Sequence, residues 1–456
     1  MSRLLDAWRH TPTHRQVRAL AIPMILSNLS VPMVALVDSA VVGHLPHAHQ
    51  LGAVAVGSML YVVLVGILNF LRMGTTGFAA QAAGQEDGNA LRRVLLQGVV
   101  LGLGLAVIAS AIALPLTHVL LGVVEPSPAL HDLAATFFQH RLLGLPAALM
   151  NYALIGWFLG AQNARAPLAV LLLTNVVNAV LSVTFVLGLD WGVVGAAHAA
   201  VIAEWLGLCL AFALTRGELR RYPGRLDWRP LRYGSHWKPL LTVNRDIFIR
   251  SLTLQAVFVL VTLQGSRLGD ATVAANALLL NGLSVTAYAL DGLAHAVEAL
   301  CGRAIGARDR LALRRALVVA AGWSALASLI FSLAFLVFGE TFIRLQTDIL
   351  SVRSVAFVYL PYLALLPLVA VTSYLLDGLF IGATRAREMR NAMVIAFLLA
   401  VPLGWVMQDW GNHGLWITFL SFMLLRGLVM TAYSLRIRKQ PGWIAPAPAA
   451  FSQGAR

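Results

Sequence analysis

GWFLGAQNAR, at Gly156–Arg165, returns 222 residues later as GLFIGATRAR, at Gly378–Arg387. Gly156, Phe158, Gly160, Ala161 and Arg165 fall on Gly378, Phe380, Gly382, Ala383 and Arg387, and upstream Tyr152 falls on Tyr374. The same shift lays Gly84, Asp87, Leu91, Arg92 and Arg93 on Gly306, Asp309, Leu313, Arg314 and Arg315. It also lays Gly43 on Gly265 and Gly192 on Gly414. One constant offset over such a length marks an internal duplication, and self-similarity of this kind decides architecture before any local pattern does.

The duplicated unit is apolar. The 456 residues are 59% hydrophobic and 12% charged, with a mean hydropathy of +0.77, whereas soluble domains carry about 25% charged residues. Hydropathy gives twelve spans, approximately 17–43, 51–80, 94–120, 134–160, 166–188, 192–215, 241–266, 273–302, 316–338, 355–383, 391–408 and 412–435. Each is long enough to cross a bilayer as a helix. The expected fold is therefore an all-α polytopic membrane protein. Its segments are 1–16, a six-helix lobe 17–215, a linker 216–240, a second lobe 241–435 and a tail 436–456, disordered from Gln440. Six spans per copy return the chain to its starting side, so the repeats are parallel and related by an axis along the membrane normal, with a substrate path between them.

The net charge of +14 raises the question of nucleic acid. The cations instead lie between apolar runs and on no polar face, which excludes that class. Twenty-eight fall in one set of connections and termini, while only Arg267, Arg344 and Arg353 fall in the other. By the positive-inside rule both termini are cytoplasmic. Long as the basic loop from Arg216 to Arg250 is, it reads as an orientation signal. Met1–Arg18 has no signal-peptide pattern, so the first span serves as its own insertion signal. Cys209 and Cys301 sit in or beside apolar runs and offer neither a disulfide framework nor a zinc site. No phosphate-binding loop, nucleophile motif, haem or flavin signature is present, so direct use of ATP is not expected.

Acids inside the spans are the residues to explain, because a buried charge is costly. None is mirrored by the repeat: Asp38 falls on Leu260, Asp291 on Asn69, Glu298 on Thr76, Asp377 on Ile155 and Glu204 on Arg426. Shared positions are chiefly Gly, Ala and Arg, which suit helix packing and loop anchoring. The scaffold is thus symmetric and the acids are not, which favours chemistry over construction. Asp38, in VPMVALVDSAVVGHL (Val31–Leu45), lies five residues before Gly43. Pro23 and Pro32 upstream remove helix hydrogen bonds and form a candidate hinge, so a titrating carboxylate there can couple proton uptake to bending. Asn175, Asn178 and Ser182 on the fifth span are its expected polar network, Asn178 and Ser182 sharing one face. Packing between helices is the competing reading for such amides. Glu204 on the sixth span either joins that network or packs.

In the second lobe Asp291 and Glu298 are two turns apart on one face. With Asp377 they form a candidate cation or proton site, against which stands simple pairing with Arg303, Arg385 or Arg387. Arg72 and Arg141 pair with acids or snorkel. His44, His47 and His49 cluster in a short loop and read as unliganded; no metal site is expected.

PMILSNLSVPMVALVDSAVVGHL, NFLRMGTTGFAAQAAGQ, NYALIGWFLGAQNAR and NRDIFIRSL with AYALDGLAHAVEALCGRAIG together resemble the multidrug and toxic compound extrusion (MATE) transporters, most closely their DinF branch. The likeness spans roughly residues 15–438. It implies two six-helix lobes around a V-shaped cleft, and antiport of cationic or amphipathic compounds against protons or sodium. In that resemblance Asp38 matches the first-helix aspartate of proton coupling and Asn178 the fifth-helix asparagine. Ser182 stands where many relatives carry an aspartate, leaving Asp38 as the carboxylate of this network.

The expectation is a proton-coupled multidrug efflux antiporter of the bacterial inner membrane, monomeric, without cofactor or catalytic residue, contacting only lipid and substrate. Sodium coupling on the same fold is the first rival. A lipid-intermediate flippase would need a strongly basic cleft, and a membrane enzyme would need a reactive constellation that the chain lacks.

Overall fold

The computed structural model describes residues 2–43, 48–122 and 128–440, which contain no strand. In order they form α1 (Ser2–Trp8), α2 (Thr11–Val42), α3 (Ala48–Leu68), α4 (Phe70–Gly84) and α5 (Gly88–Gly122). Next come α6 (Pro128–Arg141), α7 (Leu145–Gly160), α8 (Arg165–Ser182), α9 (Gly192–Arg221) and α10 (Gly234–Ser266). The chain closes with α11 (Asp270–Gly306), α12 (Arg310–Gln346), α13 (Leu350–Gly382), α14 (Ala386–Val406) and α15 (Gly411–Arg438). Among the described residues eleven helical segments are long and apolar enough to cross a membrane. α2 is a further long helix at the first expected span.

The linker expected at 216–240 is shorter than read, because α9 runs to Arg221 and α10 begins at Gly234. Likewise α15 runs on to Arg438, into the start of the expected tail. His44, His47 and residues 441–456 lie outside the described residues; His49 lies in the first turn of α3. Inside 1–16, α1 is packed on α12: Trp8 fills the space beside Gly322, and Trp323 Nε1 donates to His14 Nδ1 at 3.0 Å.

Contacts divide the chain into two compact units, Leu26–Leu241 and the remainder. The division falls inside α2, two residues after Pro23. α2 is helical without a break through both Pro23 and Pro32.

The repeat is visible bond by bond. α4 and α11 are each followed by a left-handed residue, Glu86 (φ 56°) and Arg308 (φ 57°), and α7 and α13 by Gln162 (φ 68°) and Thr384 (φ 54°). Each closes its helix with the same pair of terminal bonds. Asp87 N–H donates to Ala82 and Asp309 N–H to Ala304, while Asn163 N–H donates to Phe158 and Arg385 N–H to Phe380. Asp87 and Asp309 then cap the next helix through Oδ1, accepting from Asn89 and Ala90 in one copy and Leu311 and Ala312 in the other. A β-carbon on Gly156 would lie 2.3 Å from the Arg72 carbonyl, and one on Gly378 2.5 Å from the Ala294 carbonyl. Those two contacts are the same contact shifted by 222. Gly160 and Gly382 repeat it one turn on, against the carbonyls of Thr76 and Glu298. The four-residue glycine spacing therefore brings α7 onto α4 and α13 onto α11 at backbone distance.

Where the copies differ, the first is the more broken. The span expected at 51–80 is interrupted at Asn69, between α3 and α4, and that at 134–160 by a 3₁₀ turn at Leu142–Gly144. Their counterparts α11 and α13 are continuous. α8 passes directly into a π-helical turn, Val183–Gly188, a form often found at functional sites.

One shared arginine anchors a helix end: Arg92, buried, donates to the carbonyls of Gly88, Leu219 and Tyr222 and so closes the end of α9.

Candidate functional site

Within Leu26–Leu241, α8 lays its polar face along α2. Asn178 Nδ2 donates to both oxygens of Asp38, at 2.9 and 3.1 Å, and Ser182 Oγ donates to Oδ1 at 3.2 Å. Two turns toward the start of α2, Asn175 Nδ2 donates to Ser30 Oγ at 2.7 Å, and Ser30 donates to the Ser27 carbonyl. Asn178 and Ser182 are buried while Asp38 is half-buried, so the carboxylate keeps one side open. One atom breaks the balance: Asn178 Oδ1 is buried and accepts nothing. The π turn begins at Val183, directly after Ser182.

Glu204 does not bond Asp38. It is held by Arg141, whose Nη2 lies 2.9 Å from Oε1, and by Tyr61, whose hydroxyl donates to both oxygens at 3.2 Å. The Arg141 guanidinium sits 3.9 Å from the centre of the Tyr61 ring, a cation–π contact in low dielectric. Gly144, in the 3₁₀ turn, makes room for this carboxylate: a β-carbon there would meet Glu204 Oε2. Arg141 is also in electrostatic range of Asp38 and so acts on both acids. Tyr61 carried no signal in the sequence, being one aromatic among many.

The second-lobe acids are arranged otherwise than the sequence suggested. Asp377 pairs with neither Arg303, Arg385 nor Arg387. It accepts from Arg250 at 2.5 Å and from Arg426, all three side chains being at most 9% exposed. Arg250, counted above with the basic loop, lies two turns inside the apolar part of α10. Asp291 shares the field of Arg426 and Tyr374 with Asp377. Two acids against two arginines leave no net negative charge there, and the described residues hold no group of three His, Cys, Asp or Glu able to bind a metal. The expected carboxylate cluster of Asp291, Glu298 and Asp377 is therefore not assembled as such. Glu298 is buried, with its backbone under Gly382. A buried amide pair the sequence did not single out, Asn276 and Asn412, bonds reciprocally at 2.8 and 3.0 Å under Trp416.

A family model described as MatE matches residues 23–184 and again residues 247–406. The chain belongs to the MATE family. The two matches start and stop 222 to 224 residues apart, which is the internal repeat. Over 444 residues the chain is 42% identical to the DNA damage-inducible protein F of Escherichia coli (strain K12), with 95% of each covered. It is 27% identical over 439 residues to the probable multidrug resistance protein NorM of Deinococcus radiodurans, covering 91% of this chain and 93% of the relative. Among solved structures, a variant of the Vibrio cholerae MATE transporter VcmN matches with a TM-score of 0.84 at 20% identity, over 95% of this chain and 99% of that one. The fold is thus the twelve-helix, two-lobe MATE fold, and the protein is a multi-pass membrane transporter rather than an enzyme.

Within this MATE chain the counterpart of the Asp38 network is an apolar cavity of about 320 Å³ between α10, α14 and α15. The repeat replaces Asp38, Asn175, Asn178 and Ser182 by Leu260, Phe397, Ala400 and Gly404, all four lining that cavity. Glu204 has Arg426 as its counterpart. Each sits in an ion pair beside the shared tyrosine, Tyr152 or Tyr374, with the sign of charge reversed.

Proposed function

We propose that the chain is a proton-coupled antiporter that exports cationic or amphipathic compounds across the bacterial inner membrane, with Asp38 as the coupling carboxylate and both termini cytoplasmic. The observation that carries this reading is the orphaned Asn178 Oδ1 beside the Asp38 carboxylate. Ionised, Asp38 accepts three hydrogen bonds, from Asn178 and Ser182, and offers negative charge to a cationic substrate. Protonated, it gains a donor that needs an acceptor, and the unused acceptor on its own partner is Asn178 Oδ1. Reaching it requires the amide to turn, which withdraws at least one N–H from Asp38 and changes the seat of α8 on α2. The proton therefore favours a second packing of the two helices, and an ion drives transport only if it binds two conformations unequally. Pro23 and Pro32 flank the point where α2 passes from one compact unit to the other, which suits a hinge. Neutralised, Asp38 no longer holds the cation, which leaves. The relative named as a probable multidrug resistance protein supports a broad substrate range.

In proteoliposomes with the drug inside, addition of a proton gradient should drive efflux, and a sodium gradient at fixed pH should not. Asp38→Asn should still bind the drug weakly yet release no protons against it. Sodium-driven transport, or full coupled efflux by Asp38→Asn, would overturn the reading. Against a flippase, Arg141 and Arg426 are already neutralised by Glu204 and Asp377.

A further inference from the structure

Basic residues near helix ends orient a membrane protein without needing any partner. In the unit that contains α10 and α14, four of them converge on one cavity of about 490 Å³. Arg245, Arg385, Arg387 and Arg390 line it together with Asp246 and Glu388. The acids are already engaged. Asp246, with 3% of its side chain exposed, is shared by Arg245 at 2.9 Å and Arg390 at 2.7 Å, and Glu388 holds Arg385 at 3.1 Å. Four cations against two anions leave an excess of two positive charges. Arg387 is exposed and forms no ion pair among the described residues, so its whole guanidinium fork is available. α14 starts at Ala386, adding unpaired backbone N–H groups and the positive end of the helix dipole to the same wall.

The scaffold does not need this cluster. At the equivalent positions the first lobe carries Pro23, Met24, Asn163 and Leu168 for Arg245, Asp246, Arg385 and Arg390, and keeps only Arg165 for Arg387. Positions that carry a single cation in one copy thus hold a cationic bowl in the other. The bowl sits where the apolar stretch of α14 begins, and basic pockets between transmembrane helices suit lipid headgroups. Planar guanidinium forks pair two oxygens of a phosphate at once.

We propose that this cavity binds the phosphate of an anionic membrane phospholipid, with Arg387 and Arg245 as its principal contacts. The site is independent of the coupling role of Asp38.

Native mass spectrometry and thermal unfolding of the full-length protein in neutral detergent test this. Phosphatidylglycerol, phosphatidylcholine of the same chains, and inorganic phosphate would be titrated at matched ionic strength. Phosphatidylglycerol should be retained and raise the melting temperature; phosphatidylcholine and inorganic phosphate should do neither. Arg387→Gln should weaken retention about fivefold, and Arg245→Gln with Arg387→Gln about 25-fold. Arg387→Lys, which keeps the charge, should retain most of the binding, and since Arg387 pairs with no acid these single variants should fold. Equal retention of the two lipids, saturation by inorganic phosphate alone, or wild-type retention by the double variant would each overturn the proposal.

Discussion

Glu204, with 15% of its side chain exposed, shows how a largely shielded charge is held in the first lobe. Arg141 and Tyr61 satisfy its carboxylate, and the pair lies under a low-dielectric cover of apolar helices. Removing one member of such a pair strands the other, at a cost of about 3–5 kcal/mol, whereas replacing the group with apolar residues is often neutral. Glu204→Gln should therefore lower thermal stability in detergent far more than the triple replacement Tyr61→Phe, Arg141→Met, Glu204→Met. Equal melting temperatures for the two would show that the pair is not buried as described. Of these partnerships, the sequence made Asp38 with Asn178 and Ser182 legible, because polar residues are rare in those two spans and each had few alternatives. Glu204 with Arg141 was not, since hydropathy gives spans but not which faces meet. Nor was Arg250 with Asp377: Arg250 lies next to a basic loop in sequence, while the helix carries it two turns into the apolar zone.

At the level of the element, duplication fixes helix ends better than hydropathy does. The left-handed closures at Glu86 and Arg308, and at Gln162 and Thr384, fall at the shared offset although neither pair of residues is alike. The glycine crossings share that offset and are the most demanding contacts in the repeat. Gly156→Ala would push a β-carbon into the Arg72 carbonyl, and the two helices must part or distort, at about 1–3 kcal/mol. Gly104→Ala, on α5 with nothing within 4 Å of its added carbon, is the control and should leave stability unchanged or slightly raised. Thermal melts of both variants in one detergent check this; a neutral Gly156→Ala would mean that α4 and α7 are not packed at backbone distance. The break at Asn69 is not legible, because the apolar run 51–80 has no internal proline and looks continuous; the break at Leu142–Gly144 falls just before Pro146, a helix-start signal that hydropathy passes over. Gly144 explains one of them in retrospect: the turn opens space for Glu204.

For the whole molecule, the consequence of the repeat lies in what it leaves unequal. Two copies of one scaffold hold a carboxylate network in the first lobe and, at the equivalent positions, an apolar cavity in the second. If position alone made Asp38 effective, an acid at Leu260 would serve as well, since α10 repeats α2 and the cavity is open to it. The physical argument says otherwise. An ionised acid at 260 would face Phe397, Ala400 and Gly404, with no amide or hydroxyl at the positions of Asn175, Asn178 and Ser182. It would lack the donors that hold it ionised and the orphaned acceptor that receives it protonated. Leu260→Asp in an Asp38→Asn background should thus fold but restore no drug-driven proton release. Adding Ala400→Asn and Gly404→Ser should recover some, because the transplanted network supplies both sets of partners. Proton release measured in proteoliposomes from the four proteins decides the matter. Recovery with Leu260→Asp alone would place the coupling in the shared scaffold; failure of the full transplant alongside a folded, drug-binding protein would place it in Arg141 and Glu204, which the second lobe replaces by Leu363 and Arg426.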